Sequence, residues 1–157
     1  MLLPFFQWCE ATWLGQLVRD SLWLFPVIEA VHLLGLSLLG GALLMVDLRL
    51  LGLGARNQSI AEIERGARPW LVAGVAVMLS TGSLLFLSEA VKCYHNPSFW
   101  VKITTLPFAL LFTFAVRQRI ASREGFATSW RSRLLATASL ALWFTVAAAG
   151  RWIGYSS

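Results

Sequence analysis

Apolar residues in this chain come in long blocks rather than in the alternation of a strand or the narrow stripe of a soluble helix. Leu22 to Val46 contains only two ionisable side chains, Glu29 and His32. Pro69 to Ser88 has no charge, and Pro97 to Val116 has one, Lys102. Leu134 to Gly150 is also free of charge, and Trp152, Ile153 and Tyr155 can extend it. A helix needs about 20 apolar residues to cross the hydrocarbon core of a bilayer. The pattern therefore predicts an all-α fold, a four-transmembrane-helix bundle over residues 21–157, with spans at about 22–46, 69–90, 97–117 and 132–153. Residues 1–20 are interrupted by Gln7, Glu10 and Gln16 and lack a basic start, so they do not read as a signal peptide. Phe6, Cys9, Trp13 and Leu17 fall near one side of a helix, which predicts an amphipathic segment lying in the membrane interface.

Local signals place the helix ends. Asn96-Pro97 is a good start, because Asn accepts free amide hydrogens and Pro at the first position loses nothing. Pro69 can open the second span in the same way. Before it, Ser59-Ile60-Ala61-Glu62 fits a capping box for a short surface helix that Gly66 would end. Ser129 or Thr128 can cap the fourth span.

Composition strengthens this picture. The chain is 57% hydrophobic and 13% charged, against about 25% charged in soluble domains. The net charge of +5 would suggest nucleic acid in a soluble protein. Here it is a topology signal, and no nucleic-acid partner is expected. Nine basic residues fall in the connections after spans one and three: Arg49, Arg56, Arg65, Arg68, Arg117, Arg119, Arg123, Arg131 and Arg133. Four fall on the other side: Arg19, Lys92, Lys102 and Arg151. That asymmetry predicts cytoplasmic arginine-rich loops and both termini outside, in a bacterial inner membrane. The lipid bilayer is the first expected partner. Polar groups on more than one face add a homodimer, or a periplasmic or membrane partner subunit.

Ionisable residues within a span are expensive, so each needs a partner or a purpose. Glu29 and His32 are three apart and share a helix face. At the depth of His32, roughly 12 Å inside the outer boundary by helical rise, counting along the other spans reaches Thr81, Thr105 and Thr145. The expectation is a Glu29–His32 pair ringed by hydroxyls, serving as a packing element, a haem or metal ligand, or a proton-carrying pair. A bis-histidine haem b would need a second imidazole at that depth, and the only other histidine, His95, falls near the outer surface. Glu89, Lys102 and Arg151 fall together at the outer helix ends as a charge cluster or as solvated charges. At the inner end Asp47 and Arg49 are two apart and point differently, so Asp47 is expected to pair with another cytoplasmic arginine. Cys9 and Cys93 lie on the outer side, where a disulfide, two free thiols, or a copper site with His95 are the alternatives. Gly74, Gly82, Gly40-Gly41 and the Ala147 to Gly150 run suit close helix packing, and Met78 reads as packing. No nucleophile–base constellation points to an enzyme.

Several landmarks together resemble an uncharacterised bacterial four-helix integral membrane family, a domain of unknown function. They are Pro26-Val27-Ile28-Glu29-Ala30-Val31-His32-Leu33-Leu34-Gly35, Asp47-Leu48-Arg49-Leu50-Leu51-Gly52, Thr81-Gly82, Asn96-Pro97-Ser98-Phe99-Trp100-Val101-Lys102 and Gly150-Arg151-Trp152-Ile153-Gly154. The likeness covers about residues 20–155. It implies the fold and topology above and no activity, with a non-catalytic membrane subunit or anchor as the leading role and a small transporter or copper-handling protein as the alternative. More distantly the architecture is similar to CopD-like and small cytochrome b561-like bundles, which would imply copper, haem b or electron transfer. The chain lacks the paired transmembrane histidines of the cytochrome pattern.

Overall fold

The computed structural model describes residues 2–54, 57–121, 123 and 129–155. Arg56 and Thr128 lie outside the described residues. Two short helices open the chain, α1 (Leu3–Glu10) and α2 (Trp13–Asp20). The four long helices are α3 (Leu24–Leu50), α4 (Ile60–Ser88), a third made of α6 (Pro97–Leu111), a π-helical turn (Phe112–Arg117) and α7 (Gln118–Ala121), and α8 (Trp130–Ile153). A short helix, α5 (Ala90–His95), joins the second and third. All four are long and apolar enough to cross a membrane, and no strand occurs among the described residues.

Three boundaries differ from the sequence expectation. α4 runs unbroken for 29 residues. The Ser59 capping box forms, with Ser59 N donating to Glu62 Oε2 at 2.7 Å and Glu62 N donating to Ser59 Oγ at 3.2 Å. Gly66 and Pro69 then fall inside one helix instead of separating two. Pro69 removes only the N–H that would reach the Arg65 carbonyl, and the packed stripe of Ile60, Ile63, Ala67 and Leu71 carries the helix through. α3 continues past Val46 to Leu50, which takes Asp47 and Arg49 into the helix. The third span reaches Ala121. Two caps agree with the sequence: Asn96 Oδ1 accepts from Ser98 N at 2.9 Å, and Ser129 Oγ accepts from Ser132 N at 3.4 Å.

α3 and α4 pack as an antiparallel pair, as do α6 and α8, and α3 meets α8 between them. Glycine sets the approach of the first pair. A Cβ on Gly74 would lie 2.9 Å from Leu39 Cβ, and one on Gly35 would lie 2.7 Å from Val77 Cγ1. Gly40 and Gly41 face open space instead of a neighbouring helix.

The N-terminal segment is a folded cap rather than one amphipathic helix. The chain breaks at Ala11 and Thr12, so Phe6 and Cys9 are buried while Trp13 and Leu17 are exposed. α2 buries Gly15 and Val18 instead, and a Cβ on Gly15 would meet the Leu87 carbonyl oxygen at 2.5 Å. Glu10 ties the segment together: Oε1 accepts from Arg19 Nη1 at 2.6 Å and Oε2 from Val91 N, in the first turn of α5, at 2.7 Å.

Candidate functional site

The most demanding chemistry lies at the end of the bundle that carries the arginine-rich connections. Each long helix sends one polar side chain to a common point. Asp47 comes from the last turn of α3, Glu64 from the second turn of α4, Arg117 from the π-helical turn and Ser139 from the middle of α8. Each is at most 1% exposed. Arg117 Nη1 donates to Asp47 Oδ1 at 2.8 Å and reaches the Leu43 carbonyl at 3.5 Å. Ser139 Oγ donates to the second oxygen, Asp47 Oδ2, at 2.7 Å. Arg117 Nη2 stands 3.8 Å from Glu64 Oε2, an ion-pair distance beyond hydrogen-bond reach. Both Glu64 oxygens, Arg117 Nε and Nη2, and the neighbouring Gln118 Nε2 are buried without a hydrogen-bond partner.

Local structure explains the convergence. The π-helical turn adds a residue to the helical repeat, and both residues it buries are polar, Thr113 and Arg117. Thr113 Oγ1 accepts from Trp143 Nε1 on α8 at 2.9 Å. Two turns from Ser139 toward the arginine end, Ser132 Oγ lies 2.9 Å from the Leu50 carbonyl at the end of α3 and 2.7 Å from the Ser129 carbonyl, and its one proton is shared between these two acceptors. Arg68, one turn along α4 from Glu64, is exposed and extends positive charge toward it.

The sequence paired Asp47 with a cytoplasmic arginine, and Arg117 takes that place. Arg49 turns away, with Nε donating to the Gln58 carbonyl at 3.0 Å. Glu64 and Ser139 were not singled out. Glu64 shares the i, i+3, i+4 stripe of Ile60, Ile63, Ala67 and Leu71, and an acid on such a stripe was the available signal.

His32 is half-buried, and its partner is Thr81 rather than Glu29. Nδ1 and Thr81 Oγ1 are 2.7 Å apart, and Thr81 Oγ1 donates its single proton to the Val77 carbonyl at 2.6 Å. The hydroxyl oxygen can then only accept from the ring, so neutral His32 carries its proton on Nδ1 and leaves a lone pair on Nε2. Gly82 makes room for the ring, since a Cβ there would lie 3.2 Å from His32 Cε1. Glu29 is exposed and makes no hydrogen bond or ion pair among the described residues. The ring of hydroxyls does not assemble: Thr145 is exposed and donates to the Ala141 carbonyl at 2.8 Å, while Thr105 is only half-buried.

The outer charge cluster also separates. Glu89 pairs with Lys92 at 3.5 Å, Arg151 turns onto the Tyr155 hydroxyl and ring, and Lys102 lies along Gly150. Cys9 and Cys93 are free thiols within one buried cluster with Phe6, Ala90 and Phe99. Burial, with Glu89 adding negative charge nearby, pushes the Cys93 thiol up to about 11. His95 stands apart, exposed and edge-on to Tyr94. The copper set Cys9, Cys93 and His95 is therefore not brought together, and among the described residues no three His, Cys, Asp or Glu side chains could hold a metal ion. Nor does a bis-histidine haem fit, with one imidazole on Thr81 inside the bundle and the other at its surface.

No curated protein and no solved structure matches the chain, so a tie to CopD-like or cytochrome b561-like proteins has no support. A family model does match, across residues 5–156. Spanning nearly the whole chain, that match makes this four-helix protein a member of DUF6644, a family of unknown function.

Proposed function

We propose that the chain is a multi-pass protein of a bacterial inner membrane, arginine end in the cytoplasm, that works as a small transporter by exchanging a proton at the buried cluster. The observation that supports this reading is Glu64. Two carboxyl groups share one guanidinium, and Asp47 holds it at 2.8 Å while Glu64 stands at 3.8 Å with neither oxygen satisfied. The cluster is neutral when Glu64 carries one proton and anionic when it does not. A buried acid at the end of a span, held only loosely by its cation, is the kind of group that proton relays use. His32, with Nε2 free, is a second proton-accepting group nearer the opposite end. Its pairing with Thr81 fixes the ring without using that nitrogen.

Reconstituted vesicles carrying an internal pH-sensitive dye and an imposed potential test the reading. Wild-type protein is expected to acidify the lumen faster than empty vesicles, and Glu64→Gln to slow this by at least about tenfold while keeping the helical signal, in line with loss of a proton-transfer group. Equal rates for the variant and the wild type would overturn the proposal.

A specific observation favours a second reading, a non-catalytic subunit of a larger membrane assembly. Glu29 is exposed on a span and makes no hydrogen bond or ion pair among the described residues, and a second copy or another subunit would supply a partner. Mass measurement of gently extracted complexes distinguishes this, with a monomer across concentrations and no co-purifying chain as the outcome against it.

A further inference from the structure

At the arginine end a groove opens between the third and fourth spans, away from the buried cluster. It has a volume of about 740 Å³ and is lined by Phe112, Ile120, Arg123, Trp130, Arg131, Leu134, Leu135 and Ala138. Its charged and deeper apolar linings are separated along the axis of α8. Arg123 and Arg131 are both exposed and sit at the end of the helices. Neither guanidinium has an acidic partner among the described residues, and Arg131 lies 5.7 Å over the Trp130 ring. Trp130 lies at their level, and below them the wall of Phe112, Leu134, Leu135 and Ala138 is apolar, with Leu134 exposed. It continues to Ala138, seven residues deeper along α8, or about 10 Å by helical rise. Among the described residues no acid lines the groove.

We infer that this groove binds an anionic phospholipid of the leaflet on the arginine side. The phosphate sits between Arg123 and Arg131, and an acyl chain runs down the wall formed by Phe112, Leu134, Leu135 and Ala138. Charge complementarity selects this occupant. Two unpaired arginines at headgroup level suit a phosphodiester, which guanidinium groups bind through paired hydrogen bonds. Basic clefts between spans at the cytoplasmic surface are the usual seats of acidic headgroups. A partner helix would fill the apolar wall and leave both guanidinium groups without anions. A free phosphate would leave the wall uncovered.

Trp130 lines the groove and supplies the reporter. The full-length protein is reconstituted into vesicles of phosphatidylcholine containing a minor share of acyl-brominated phosphatidylglycerol or acyl-brominated phosphatidylcholine. The quenching lost on Trp130→Phe isolates the contribution of that ring from the seven other tryptophans. Brominated phosphatidylglycerol is expected to quench Trp130 at several-fold lower mole fraction than brominated phosphatidylcholine. Arg123→Gln and Arg131→Gln should each reduce that preference by about fivefold, the worth of one basic residue at an anionic surface. The double change Arg65→Gln and Arg68→Gln removes two charges from the other connection, one more than either groove variant, and is expected to leave the preference intact. Equal quenching by the two lipids overturns the site. A preference lost equally in the Arg65/Arg68 variant also overturns it, showing that net charge and not the groove selects the lipid. Inorganic phosphate that abolishes the preference at millimolar concentration would assign the arginines to a soluble anion and overturn the lipid.

Discussion

At the arginine end, four helices meet on Asp47, Glu64, Arg117 and Ser139, all buried, and two of the charged groups keep unsatisfied atoms. At the opposite end, Phe6, Cys9, Ala90, Cys93 and Phe99 meet with no charge among them, and rings stack and cross at 5.2 to 6.1 Å around Phe6. Both places fasten helices that are distant in sequence. The aromatic cluster gains from contact area and tolerates imperfect geometry. The charged cluster must be complete, because one missing partner strands a charge in a low-dielectric interior. A protein needing only stability could use the first chemistry at both ends. Retaining the second, with Glu64 incompletely paired, is why the proposed proton exchange is placed at the arginine end.

The sharpest way to break this contrast is to remove the shared cation. Arg117→Met leaves two acids facing each other and is expected to cost about 3–5 kcal/mol, read as a loss of thermal stability in detergent. Adding Asp47→Leu and Glu64→Leu to the same variant should recover most of that stability while abolishing proton flux. If Arg117→Met is as stable as wild type, the cluster is not the clasp described.

At the other end the response should be graded. Phe6→Ala removes the ring that contacts Phe86, Tyr94, Phe99 and Trp100. It is expected to cost about 3 kcal/mol, and proteolysis should then cut the N-terminal segment first while the four spans resist. Simultaneous loss of the spans would show that the cap and the bundle are one cooperative unit.

The smallest effect concerns reactivity. With Cys9→Ser present, Cys93 is the only thiol. Its thiolate forms as pH rises toward about 11, so at pH 8 nearly all of it is the unreactive thiol. Maleimide labelling of folded protein should run about a hundredfold slower than for an ordinary exposed thiol, and should accelerate with rising pH. Equal rates would mean that the cluster opens readily.

The spans were legible because length and apolarity are properties of a single segment. The capping residues Asn96, Ser59 and Ser129 were legible because caps act within four residues. Errors arose where tertiary packing decides. Pro69 can start a helix or sit inside one, and only the stripe packed against α3 settles which. Phe6, Cys9, Trp13 and Leu17 share a face only if the helix is continuous, and the Thr12 cap interrupts it. Glu29 and His32 share a face by spacing, yet His32 found Thr81, 49 residues away. Arg117 was counted among loop arginines, because nothing in Phe-Thr-Phe-Ala-Val-Arg announces a π-helical turn.

The bond from Glu10 to Val91 spans 81 residues, and the ring of Phe6 rests on Phe86 and Phe99. The seat of Phe6 is therefore incomplete until the chain has been made through Phe99, at the start of the third span, whereas α2 can already rest on α4, where Gly15 meets the Leu87 carbonyl. Docking of α1 is accordingly expected to be a later step in biogenesis than docking of α2, following completion of α4 and α5.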